Sequence, residues 1–245
     1  MLKKLFIPLL MIFPLFVYAQ IGDHRNDLSI GVNGGYALSS IGFTPKVTQG
    51  QHGGLTGGLS FRYVCEKYFS TICSIYAEVN YTQAGWKESI VDIDDNPVVN
   101  EETGEEEKYS RNINYVQVPL LAHLAWGKER RGMQFFLEMG PQFGYWLSES
   151  TDTNFTLENM NIDDRANTES EQYTMDVENK FDYGIAVGTG IECSIPKIGH
   201  FLVGARYYYG LGNIYGNSKR DNFAKSNYGI INFKISYLFD ITKTK

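Results

Sequence analysis

The chain is short of the residues on which catalysis and metal binding depend. It has four histidines, His24, His52, His123 and His200, and no two stand at the spacing that puts a metal pair on one helix face. No Gly-x-Ser-x-Gly elbow is present, which excludes the common strand–turn–helix hydrolase arrangement. Three cysteines, Cys65, Cys73 and Cys193, are too few for a disulfide framework and odd in number. Twenty-two lysines and arginines against 28 acids give a formal net charge of −6, so there is no basic footprint for nucleic acid. Beyond Val17 no apolar run is long enough to cross a bilayer as a helix. Nothing calls for a cofactor.

What is present begins with a leader. Lys3 and Lys4 precede an apolar stretch from Leu5 to Val17, and Val17 and Ala19 suit the small positions of a cleavage site after Ala19. The apolar stretch is too short to span a membrane, and Pro8 and Pro14 interrupt it. No cysteine follows the cut, which argues against a lipoprotein. The chain is thus expected to divide into a cleaved signal peptide at 1–19, a periplasmic lead at 20–27, a barrel at 28–239 and a tail at 240–245.

The most telling segment is Tyr228 to Phe239, YGIINFKISYLF. Ile231, Phe233, Ile235, Tyr237 and Phe239 alternate with Ile230, Asn232, Lys234, Ser236 and Leu238. A period of two means a strand, here with one fully apolar face and a lysine in the middle of the other. The pattern recurs at 28–37, 53–63, 72–83, 112–126, 133–146, 180–193, 201–211 and 227–239. Short connections at 64–71, 127–132 and 194–200 alternate with long ones at 38–52, 84–111, 147–179 and 212–226. Strands of about ten residues with this alternation indicate an all-β fold: an eight-stranded antiparallel up-and-down transmembrane β-barrel with short periplasmic turns and long extracellular loops.

The outward faces end in aromatics. Tyr36, Tyr81, Tyr145, Tyr183 and Tyr209 fall toward the loops, and Tyr63, Trp126, Phe135, Phe201 and Phe239 toward the turns, as two membrane interfaces require. Parity turns Arg62, Glu78, His123, Glu138, Asp182, Glu192, Arg206 and Lys234 inward. Opposite charges in so narrow a lumen should pair, because unpaired buried charge is costly. Inward glycines, Gly188 and Gly204 among them, are expected to make room for these side chains, giving a polar plug rather than a pore.

The acid excess sits in two loops. The second long loop carries nine acids, from Glu88 to Glu107, and the third carries nine, from Glu149 to Glu178, against Arg165 alone. The fourth is basic, with Lys219, Arg220 and Lys225. The acidic loops read either as solvated fringes or as a cation- or partner-binding surface. Asp92, Asp94 and Asp95 resemble part of a calcium loop, without its glycine and its terminal glutamate. They are the weak metal candidates, and a calcium there would bridge to lipopolysaccharide. Cys65 and Cys73 flank the tight turn at 67–70, so a bridge across the hairpin is one alternative. A lipid-modifying barrel enzyme would place a histidine beside a serine at the outer rim, and only His52 falls there.

Two stretches carry a family resemblance. Residues 76–85, YAEVNYTQAG, and 114–123, NYVQVPLLAH, resemble the third- and fourth-strand signatures of the PorT-like outer-membrane β-barrels of Bacteroidetes. Gln117 stands where that family usually has an acid and His123 where it has a lysine. The first strand, LSIGVNGG at 28–35, fits as well. The resemblance implies an outer-membrane location and no catalysis, and leaves three roles open. The first is a surface or envelope interaction protein, the second an accessory part of type IX secretion, the third a narrow diffusion channel. Expected partners are outer-membrane lipid, lipopolysaccharide and an envelope or secretion-system protein, with the barrel itself a monomer.

Overall fold

The computed structural model describes residues 22–129, 131–216 and 222–244. The leader expected at 1–19 lies outside them, as do Lys219 and Arg220. The chain forms β1 (Asp23–Thr44), β2 (His52–Tyr68), β3 (Thr71–Glu88), β4 (Tyr109–Gly127), β5 (Gly132–Thr153), β6 (Phe181–Ile195), β7 (Gly199–Gly210) and β8 (Lys225–Thr242). Each pairs antiparallel with its chain neighbours, and β8 pairs back onto β1, so the sheet closes. Closure matters in a bilayer, where an unpaired edge has no water to satisfy it. Among the described residues no helix is long and apolar enough to cross a membrane. The spans are strands.

Alternation sets the two faces. Val32, Leu59, Val79, Leu137, Val187 and Ile235 are exposed on the outside, while Asn33, Ser60, Glu78, Glu138, Gly188 and Lys234 point inward. The girdle aromatics all lie outward. Phe135 and Tyr145 are ten residues apart on β5. At about 3.3 Å per residue and a tilt near 40°, that is roughly 25 Å along the membrane normal, the height of a barrel's apolar band.

Periplasmic turns are tight. Phe69 and Ser70 join β2 to β3, with Phe69 at φ 51°. Gly127 and Gly132 close the β4–β5 turn at φ 131° and 133°, a region closed to side-chain-bearing residues. The register shifts between Val64 and Glu66, so Cys65 sits in a bulge and Glu66, not Cys65, faces Cys73. All three cysteines are free, because the bulge takes Cys65 out of register with Cys73.

The strands run further outward than the alternation predicts. β1 continues to Thr44, β3 to Glu88, and β4 begins at Tyr109. Here the pattern inverts: Ile41, Phe43, Ala84, Trp86, Tyr109 and Ile113 are buried inside the ring. Above the membrane the outside is water, so the apolar side turns inward. A short piece, Gln49–Gly50, pairs with Lys87 and Glu88 at this end.

Candidate functional site

The lumen is filled in layers between an inner vestibule and an outer cap. Nearest the periplasm, Arg62 Nη1 donates to both oxygens of Glu192, at 2.8 and 2.7 Å. Above it Tyr76, His123 and Phe136 stack across the barrel, with ring centroids 5.6 and 4.7 Å from that of His123. Next, Arg206 donates through Nη1 to Glu78 (2.6 Å) and through Nε to Glu138 (2.7 Å), and Lys234 donates to Glu78. Gly188 stands in register between Glu138 and Arg206. A Cβ there would lie 2.6 Å from Glu138 Oε1, so the glycine is the gap the ion pair passes through.

Higher still, Asn33 donates to Ser60 and Asn80, and buried Gln117 and Gln142 share the lumen with them. Tyr228 donates to Tyr115 at 2.8 Å and Tyr208 to Asp182 at 2.6 Å. Seven of the eight sequence-predicted lumen residues are thus brought into ion pairs or close to them. His123 Nδ1 lies 3.6 Å from Glu138. Asp182 is the exception: among the described residues it has no arginine or lysine partner, and a tyrosine hydroxyl holds it. Parity assigns a face, but only height along the barrel decides which charges meet.

The outer end is closed by an aromatic core. Phe43 packs against Trp86 (5.4 Å, 77°) and Phe223 (4.9 Å), and the Arg111 guanidinium lies 5.4 Å over Trp86. The two acidic loops fold onto it rather than standing free. Arg165 donates to Glu107 at 3.0 and 2.6 Å and to the Tyr173 hydroxyl at 2.8 Å, and lies 4.7 Å over Phe155. Tyr173 in turn donates to Glu88 at 2.6 Å.

Glu88 stands seven residues beyond Tyr81, above the outer girdle. Burial pushes its carboxyl up, against the lowering effect of donors from Tyr173, Gln172 and Trp86. Burial, with Glu88 beside it, pushes the Tyr173 hydroxyl up too. Glu88, Glu107 and Arg165 are missed by a count of loop charges. The available signal was Arg165 itself, the lone cation among nine acids, with Phe155 and Tyr173 nearby.

Asp92, Asp94 and Asp95 do not come together as ligands. Asp92 Oδ1 accepts from the backbone of Asp94 and Asn96, both at 2.8 Å, so it caps its own turn. Those bonds, Asn96 foremost, hold its carboxyl below the usual range. Among the described residues no three His, Cys, Asp or Glu side chains are grouped to hold a metal.

The inner mouth opens into a cavity of about 400 Å³. On its wall Ser194 Oγ lies 2.9 Å from His200 Nδ1, and Asp240 Oδ1 lies 3.1 Å from Nε2. These are the residue types of a hydrolytic triad. Glu192 Oε1, however, sits 2.6 Å from the same Nδ1. Both ring nitrogens face carboxylates, so neither is free to take a serine proton. By sequence alone His200 falls in the turn at 194–200 and Asp240 in the tail at 240–245. His200 directly precedes outward Phe201, which already fixed it as inward.

The family model described as outer membrane protein beta-barrel domain matches residues 18–216. No curated protein matches the chain. Among solved structures it is similar to Ail of Yersinia pestis in complex with the heparin analogue sucrose octasulfate, at 14% identity over 87% of this chain and 99% of that one, with a TM-score of 0.37. It is similar to OprG from Pseudomonas aeruginosa at 15% identity, over 90% and 99%, with a TM-score of 0.41. Neisserial surface protein A follows at 12%, over 86% and 97%, with a TM-score of 0.37.

Proposed function

The chain belongs to the outer membrane protein β-barrel domain family, and from that premise we propose that it is a non-enzymatic envelope protein that works by contact at its outer surface. Its lumen is a polar plug, and the folded cap of loops 84–111 and 147–179 is the contact surface. The observation that carries this reading is the chain of bonds Glu107–Arg165–Tyr173–Glu88, which joins the two acidic loops through a buried guanidinium. A fringe that only keeps the surface solvated needs charge and no fixed shape. A buried, fully bonded arginine gives this one a shape.

The exposed side of these two loops is acidic, with Asp94, Glu101, Asp163 and Asp164. It suits a cationic protein partner in the envelope, or lipopolysaccharide reached through divalent ions from solution. The barrel works as a monomer, exported through the leader that ends at Ala19. A narrow diffusion channel is disfavoured by the stacked Tyr76–His123–Phe136 layer and the Arg206 cluster above it. A second reading, an accessory part in type IX secretion, rests on the PorT-like motifs at 76–85 and 114–123.

The test is photo-crosslinking in intact cells from probes at Glu101 and Asp164. A defined envelope partner should be captured, and capture should fall when Arg165→Ala unlocks the cap. The same weak adducts from both proteins would remove the cap as a working surface. Secretion-system components among the adducts would favour the second reading.

A further inference from the structure

The cap holds a cleft of about 620 Å³ between its two acidic loops, and the two sides of the cleft differ. Ile93, Pro97 and Val99 line it from the second loop, Asp163 and Asp164 from the third. Ile93 is 88% exposed, the highest value of any large apolar side chain among the described residues, and Val99 is 46% exposed. The exposed aliphatics of the barrel wall face lipid. These two lie beyond Glu88, above the membrane, and face water. Single apolar residues on a wet surface are ordinary, but three that line one cleft form a patch of the kind that marks a contact site.

The patch is held in place. Asp92 Oδ1 accepts from the backbone of Asp94 and Asn96, which fixes the turn carrying Ile93. The Ala166 backbone N–H donates to the Val91 carbonyl at 2.8 Å and ties the third loop alongside. A preformed cleft gives up little freedom on binding.

The charge on the lining is not answered from within. The carboxylates of Glu101 and Asp163 bond to no described residue. Arg165 directs its donors to Glu107 and to the Tyr173 hydroxyl. A divalent ion matches this lining poorly. Asp92 is committed to its own turn, Asp164 accepts from Asn161 at 2.8 Å, and among the described residues no three acids are grouped as ligands, whereas calcium takes a full shell of oxygens. An ion would also leave Ile93 and Val99 uncovered.

We infer that the cleft docks a basic segment of a partner protein, one in which an apolar side chain is flanked by lysines or arginines. The apolar side chain covers Ile93, Pro97 and Val99, and the cations face Glu101 and Asp163. The inference rests on the cap being a contact surface, and it selects a protein over lipopolysaccharide bridged by ions.

The test is fluorescence anisotropy with the mature chain refolded in non-ionic detergent micelles, with empty micelles as the blank. The probe is a labelled heptapeptide with one leucine between two lysines. One control carries serine for the leucine, another carries glutamates for the lysines. The leucine peptide should bind saturably, the serine control roughly tenfold more weakly, and the glutamate control not at all. Ile93→Ser should weaken the leucine peptide by roughly tenfold and leave the serine control unchanged, because the two apolar groups meet each other. Unchanged binding of the serine control also shows that the cleft of the variant is intact. Equal binding of the leucine and serine peptides, or a leucine peptide indifferent to Ile93→Ser, would overturn the assignment. So would binding that appears only with Lys219→Gln and Arg220→Gln, since the chain's own fourth loop would then be the occupant. In cells, undiminished capture from probes at Glu101 and Asp164 in the Ile93→Ser chain would keep the cap as a contact surface and reject this cleft. No capture from the unmodified chain would remove the contact reading, and this inference with it.

Discussion

Removing Arg206 tests whether the lumen is held by charge. Arg206 is 5% exposed, and its guanidinium donates to Glu78 at 2.6 Å and to Glu138 at 2.7 Å. Hydrogen bonds to charged groups are worth about 1.5–3 kcal/mol each, and breaking a buried pair on one side costs about 3–5 kcal/mol. Arg206→Ala should therefore cost about 3–5 kcal/mol. The loss should not be shared evenly. Glu78 keeps Lys234, whereas Glu138 is left with His123, whose Nδ1 is 3.6 Å away. In the Arg206→Ala background, Glu138→Gln should recover about 1.5–3 kcal/mol, because it neutralises the stranded carboxylate. Glu78→Gln should recover less, because it strands Lys234 instead. The assay is urea unfolding of barrels refolded into phospholipid vesicles, followed by tryptophan fluorescence. A single-variant cost under about 1 kcal/mol, or equal rescue by the two glutamines, would refute the argument.

Three other outcomes follow from the same structure. Val187→Arg, on the lipid face of β6, should cost about 2–4 kcal/mol in that assay, while Tyr145→Arg at the outer girdle should cost about 0–1 kcal/mol; equal costs would mean the membrane level is misplaced. Arg165→Ala should speed proteolytic cutting within 84–111 and 147–179 and leave the heat-dependent gel shift of the barrel unchanged, since the lost bonds lie above the membrane. In planar bilayers the unmodified protein should show no steady conductance, and open ion-selective steps would restore the channel reading.

The barrel itself was legible because lipid enforces a simple rule. Every second residue of a span must be apolar, and Tyr228 to Phe239 obeys it for its whole length. The inward charges were legible for the same reason, as the residues the rule leaves over. Which of them meet was not. Glu138 reaches Arg206 because both lie in register with Gly188, and register depends on the shear of the closed sheet. Asp182 sits too high to reach a cation and takes a tyrosine instead. At the outer end the rule lapses. Thr151, Asp152 and Thr153 read as loop, yet pair as strand with Arg111, Ser110 and Tyr109. Backbone pairing there needs no apolar outer face, so hydropathy has nothing to report. The same blindness hid His200 and Asp240, which line the cavity at the other end.

The inversion of the pattern also explains why the cap has a core of its own. Within the bilayer, the outside is as apolar as any interior, so burying an apolar side chain in the lumen gains little. Ion pairs fill much of that space instead, beside the aromatic layer of Tyr76, His123 and Phe136. Above the girdle at Tyr36 and Tyr81 the surroundings are water, and the hydrophobic effect returns at about 25 cal/mol per Å² of apolar surface buried. That is where Phe43, Trp86, Tyr215 and Phe223 gather, each 7% exposed or less. The four come from β1, β3 and the fourth loop, so their association also draws the loops over the mouth. One closed sheet thus carries a lumen organised around ion pairs and a cap organised around aromatics, and the boundary between them is the outer membrane interface. Closure of the outer mouth follows from where water begins, while the inner mouth, lined by charge and short of apolar bulk, stays open.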